Sequence, residues 1–154
     1  MKTSQLGVDL IKKHEGFVPY VYKDAVGYPT IGYGHLLKKG ESFSNGISRE
    51  EGEEILKKDL YFSEQSVLNL IKIPLKQHEF DALVSFVFNV GSGNLQASTL
   101  RRKLNKNDHE GAAKEFTRWI YARGVKLRGL IRRREEERDL FLGEILGYYT
   151  DNTQ

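Results

Sequence analysis

The chain of 154 residues contains no cysteine. Disulfides, thiolate metal sites and a cysteine nucleophile are thereby excluded. Long apolar runs are also missing. Asp9, Lys12 and Lys13 interrupt the stretch after Met1-Lys2 that a secretory leader would need. No window approaches the length of a membrane-spanning helix, so the expectation is a soluble cytoplasmic product without stable membrane insertion. With only three prolines and no low-complexity segment or internal repeat, linkers and solenoids are unsupported. The four histidines, His14, His35, His78 and His109, are scattered. No histidine spacing here suggests a metal site.

What is present reads as one domain, 1–154, of the α+β class. Hydrophobic residues make up 39% and charged residues 29% of the chain, enough for a core. The net charge of +3 favours weak attraction to polyanions such as nucleic acid, anionic lipid or a carboxylate-rich wall. Residues 3–14 predict a helix with Leu6, Leu10 and Ile11 on one face, Thr3 or Ser4 as cap and Gly16 as stop. Residues 15–47 change character: Phe17–Tyr22 and Tyr28–Gly34 read as short strands around a turn near Gly27. From Ser48 onward the pattern is helical. Ser48 and Glu51 make a capping box for a linking helix over 48–71. Beyond Pro74, helices are expected through Phe80–Phe88, Ser98–Leu104, a segment capped by Asp108 that runs through Ala112, Phe116 and Trp119, and Leu130–Leu142. These form a helical lobe over 74–150, together with the helix 3–14.

The stretch Glu15–Leu37 carries the candidate chemistry. Glu15 closes the first helix near Tyr20, Tyr22, Tyr28 and Tyr33, where desolvation would favour its neutral form. Asp24, between Lys23 and Gly27, lies on a solvated turn that keeps it ionised. Two carboxyls in unlike surroundings suit glycoside hydrolysis, one donating a proton and the other activating water or stabilising cationic character. Thr30 adds a hydroxyl able to hold a water or a sugar oxygen. Taken alone, a helix-end Glu and a turn Asp also fit ordinary solvated charges.

Eight residues separate Glu15 from Asp24 and five separate Asp24 from Thr30. With Glu15-Gly16, Tyr22-Lys23-Asp24, Gly27-Tyr28 and Thr30-Ile31-Gly32-Tyr33-Gly34-His35-Leu36-Leu37, this spacing resembles the Glu–Asp–Thr triad of the phage-type lysozyme (endolysin) family. Ala82–Gly91, Ser98-Thr99-Leu100, Arg118-Trp119 and Arg132-Arg133-Arg134-Glu135 resemble that family's helical lobe in the same order. The resemblance implies a lysozyme-like fold: a small sheet lobe and a larger helical lobe joined by a long helix, with the active site in the cleft between. It implies hydrolysis of peptidoglycan glycan strands without metal or organic cofactor, with Glu15 as general acid and Asp24 and Thr30 holding the attacking water. It also places Leu36, Phe88 and Thr99 on the sugar-binding cleft, with Asn89, Ser98 and Arg118 nearby. For Leu36 and Phe88, packing in the core is the competing reading, and for Thr99 a helix cap.

His35, where the sheet hands over to the linking helix, is expected to play a structural part in an ion pair with Asp59. The basic run Arg123, Lys126, Arg128, Arg132, Arg133, Arg134 precedes Glu135, Glu136 and Glu137. It reads as a solvated helix face with pairs Arg132–Glu136 and Arg133–Glu137 rather than a nucleic-acid site. A non-catalytic wall-binding module, a nucleic-acid binder, a chitinase and a transglycosylase are the alternatives. A cytoplasmic product acting on the wall would need a holin-type pore, and a monomer is expected of a small hydrolase.

Overall fold

A computed structural model describes residues 1–144; positions 145–150 of the expected helical lobe lie outside the described residues. Helix α1, Gln5–Glu15, begins where the Ser4 hydroxyl accepts from the Gly7 amide and ends at Gly16, whose φ of 73° leaves the helical path. It packs so closely on a later helix that a Cβ on Gly7 would fall 2.7 Å from Asp81 Cγ. The chain then enters a three-stranded antiparallel meander: β1 Val18–Lys23, β2 Pro29–Gly32 and β3 His35–Leu36. Thr30 pairs with Tyr22 on one side and Leu36 on the other, and a bulge interrupts β1 between Val18 and Tyr22.

Helix α2, Arg49–Leu70, starts with the reciprocal Ser48–Glu51 capping box. Helix α3, Gln77–Val90, is buried without a break from Glu79 to Val87 and forms the axis of the helical lobe. Around it lie α4 Ser92–Ala97, α5 Thr99–Asn105, α6 His109–Glu115 and α7 Arg128–Leu142. Phe80, Phe86, Phe116 and Phe141 are fully enclosed among them. Each such ring contributes on the order of 1.5–3 kcal/mol by leaving water.

Three features depart from the sequence reading. Strand β3 and helix α4 are additional elements. The helix capped by Asp108 does not reach Trp119: it stops at Glu115, and a 3-10 turn covers Phe116–Arg118. Residues 121–126, read as part of a helical stretch, form the hairpin β4 Tyr121–Ala122 and β5 Val125–Lys126. Arg123 and Gly124 both have positive φ, 51° and 77°, the geometry of a tight type I′ turn.

Candidate active site

Glu15 is the last residue of α1, and its carboxylate bridges two parts of the molecule. Oε2 accepts from Arg133 Nη1 of α7 at 2.7 Å. On the sheet side, Gly34 approaches so closely that a Cβ there would lie 2.9 Å from Oε1. Gly34 has φ of 79°, so glycine meets two demands at this position. Of the four tyrosines expected around this carboxyl, Tyr33 alone is buried. Tyr20, Tyr22 and Tyr28 are exposed, and the group held against Glu15 is a guanidinium.

Behind Glu15 lies a buried ionic network. Arg133 donates through Nε to Glu137 at 3.1 Å and through Nη2 to the Ser85 carbonyl at 3.1 Å. The Ser85 hydroxyl donates to Glu137 at 2.5 Å. Arg134 Nε lies 2.9 Å from the other Glu137 oxygen, its Nη2 donates to Asn89 at 2.7 Å, and its guanidinium covers the Phe86 ring. Burial pushes the Arg134 guanidinium down to about 10, with Glu137 pulling it back up, so it stays charged at neutral pH. Burial pushes the Glu137 carboxyl up, against the pull of Arg134 and Arg133. The run 132–137 is therefore not a solvated helix face. The Arg133–Glu137 pair exists but is buried. Glu136 does not reach for Arg132; it meets Lys13 and His14 at the end of α1. Burial holds the His14 imidazole below its ordinary range, against the pull of Glu136.

Asp24 shapes its own turn. Its Oδ1 accepts from the Val26 and Tyr28 amides, both at 2.9 Å, an Asx-type arrangement. Its second oxygen takes no hydrogen bond among the described residues. Thr30, 2% exposed, donates its hydroxyl to the Tyr28 carbonyl at 2.9 Å. One backbone segment, Asp24–Thr30, thus carries both groups.

The remaining candidates separate. Leu36 is 53% exposed on β3, so core packing does not account for it. Phe88 is half-buried and packs against the core, while Asn89 beside it is exposed and tied to Arg134. Ser98, not Thr99, caps α5, accepting from the Arg101 amide at 3.0 Å. Thr99 accepts from Arg102 at 2.7 Å. Ser98, Thr99, Arg118 and Trp119 line one pocket of about 330 Å³, with Glu115 at its wall holding Arg118 at 2.8 Å. His35 Nδ1 lies 2.7 Å from Asp59, and its Nε2 lies 3.0 Å from Glu41, a second carboxylate the sequence did not single out. Burial alone would lower the His35 imidazole; the bonds to Asp59 and Glu41 outweigh it and raise it. Glu41 is held below its usual range, first by the Lys38 amide and then by His35.

Arg133, Glu137, Ser85 and Gly34 are the residues around Glu15 that sequence reasoning missed. Arg133 lay inside the basic run with nothing to distinguish it, and Ser85 inside an apolar helix. Among the described residues, no group of His, Asp and Glu has the arrangement of a metal site, and no helix is long and apolar enough to cross a membrane.

Comparison with known proteins points to one family and fold. The family model described as phage lysozyme matches residues 12–137. An endolysin of Bacillus phage B103 is 42% identical over 92% of this chain, which spans 54% of that protein. The endolysin of Salmonella phage P22 is 39% identical over 92% of this chain and 99% of its own length. The solved endolysin from Escherichia coli O157:H7 phage FAHEc1 superposes with a TM-score of 0.86 at 35% identity, covering 94% of this chain and 96% of that one. A triad spacing, a sheet lobe and helical lobe meeting at one carboxylate, and a family match that contains both make this chain a member of the phage lysozyme family.

Proposed function

We propose that the protein is an endolysin that hydrolyses the β-1,4 bond between N-acetylmuramic acid and N-acetylglucosamine in bacterial peptidoglycan. The observation that carries this is the carboxylate of Glu15, set between Gly34 of the sheet lobe and Arg133 of the helical lobe. Glu15 gives its proton to the glycosidic oxygen as the C–O bond breaks. Arg133 then holds the carboxylate left behind. A water aligned by the unbonded oxygen of Asp24 and by Thr30 attacks the anomeric carbon from the other side and passes a proton to Asp24. This is an inverting path, which needs carboxyls about 6.5–9.5 Å apart to admit the water. Leu36, Phe88, Asn89, Ser98, Thr99 and Arg118 line the glycan path. No cofactor enters this scheme.

The enzyme works as a monomer. It waits in the host cytoplasm and reaches the wall once a holin-type pore opens the membrane. The test is product analysis on purified peptidoglycan. New reducing ends, with an inverted anomer by NMR before mutarotation, support the reading. Anhydro ends would make the protein a transglycosylase instead. Expression alone in a Gram-negative host should leave cells intact until the membrane is disrupted; spontaneous lysis would remove the holin requirement.

A further inference from the structure

From Phe116 to Arg134 the chain has no acidic residue. Within that stretch, residues 121–129 are all exposed. They include the hairpin β4–β5, which pairs with no other strand. An isolated two-stranded hairpin is marginal in water, and this one carries cations rather than a covered apolar face. Arg123, Lys126 and Arg128, followed by Arg132, are exposed and have no ion-pair partner among the described residues. Tyr121 and Lys126 stand opposite each other and so share one face. Tyr121 and Val125 are 61% and 58% exposed.

The hairpin is rooted beside the candidate active site. At its near end, Trp119 packs edge-on against Phe86, the neighbour of Ser85 in the Glu15 network. At its far end, Leu127 caps α7. Arg133, which touches Glu15, lies six residues on, about 9 Å along the helix axis at 1.5 Å per residue. A polymer threaded past Glu15 runs beyond the reacting bond, so its substituents meet whatever flanks the site.

We propose that the β4–β5 hairpin, together with Arg128 at the start of α7, is a substrate-docking arm whose Arg123, Lys126 and Arg128 bind carboxylates on the peptide substituents of the glycan strand being cut. This rests on the peptidoglycan reading above and adds to it a recognition of the peptide rather than the sugar. Charge complementarity names the occupant: unpaired cations beside a site whose polymer substrate bears free carboxylates. The aromatic and aliphatic side chains between the cations supply contact to the peptide's apolar stems.

The test is a four-way comparison. Native protein and the triple variant R123Q/K126Q/R128Q act on native peptidoglycan and on peptidoglycan whose carboxylates have been converted to methylamides. The native protein should need roughly tenfold more of the amidated wall for half-saturation, the scale of three exposed charge contacts together. The triple variant should show that raised value on native wall and no further change on amidated wall. The difference should shrink as salt rises. Co-sedimentation of the same four combinations reads binding without catalysis. That pattern in binding, with no reducing ends released from either wall, would sink the hydrolase reading and leave the docking arm standing. A native protein indifferent to amidation, or a variant weakened equally on both walls, overturns the docking arm. So does a variant whose only defect is in binding anionic lipid vesicles. Equal melting temperatures of the two proteins would show that the substitutions act at the surface.

Discussion

One basic run in the sequence becomes two physically different regions. Arg123, Lys126, Arg128 and Arg132 stand in solvent without partners, whereas Arg133 and Arg134, the next residues along, are enclosed. The difference lies in what each finds nearby. Arg133 and Arg134 meet Glu137, Glu15, Ser85 and Asn89. Two cations are matched by two carboxylates; the Arg133 nitrogens all donate, whereas Arg134 donates through Nη2 and meets Glu137 through Nε as an ion pair. Enclosing a charge is tolerable only under those conditions. The exposed half has no such offer and remains hydrated. A count of basic residues therefore says little about function until each one's partner is known.

Perturbing the enclosed half at its outer edge should have the largest effect. Glu15→Gln keeps the shape but cannot donate a proton, so hydrolysis should fall by a factor on the order of 100 to 10,000. The fold should survive, as read by thermal unfolding; full activity would overturn the assignment. Next in size is the interior of the network. Glu137→Ala leaves Arg133 with Glu15 alone and Arg134 with no carboxylate, only Asn89, and should cost about 3–5 kcal/mol of stability, measured by urea unfolding. A loss below about 1 kcal/mol would mean that water already enters this region.

The His35 cluster should respond less, and with pH. Its raised imidazole stabilises fully below 6.5, and that contribution is lost as pH rises through the higher folded value. Glu41, held low, contributes above 4.5 and loses its contribution as pH falls through its lower folded value. His35→Asn should therefore cost most between those two limits, about 2 kcal/mol for charge-assisted bonds that are largely buried, and less in alkaline buffer. A pH-independent loss of melting temperature would show that the ring acts by packing alone. The smallest effect belongs to the exposed half. Arg123→Gln should change stability by no more than about 0.5 kcal/mol. A larger loss would mean that the hairpin has packing partners after all.

The sequence revealed most where local chemistry decides structure. The Ser48–Glu51 box, the Ser4 and Asp108 caps and the glycine stop at Gly16 each act within a few residues, and the long helices followed from them. Strands of two residues, such as β3, β4 and β5, are too short to show alternation. The hairpin falls between the two expected helices, in a basic run read as a solvated helix face. At the candidate site, the motif singled out Glu15, Asp24 and Thr30, all in one stretch. Arg133 reaches Glu15 across 118 positions of sequence. An Arg–Glu pair four apart looks the same in sequence whether water or a helix covers it. Its burial depends on α3, which the local pattern does not mention.

Glu15 has one oxygen against the sheet lobe and the other on α7. If Glu15 is the proton donor, as proposed, it is also a gauge of the angle between the two halves of the molecule. If the halves swing apart about α2, Gly34 moves off while Arg133 retains its grip, and the carboxyl turns away from the bond it must protonate. Chemistry and closure are then coupled mechanically. On the proposed reading, a glycan strand that draws the halves together would aim the acid in the same motion.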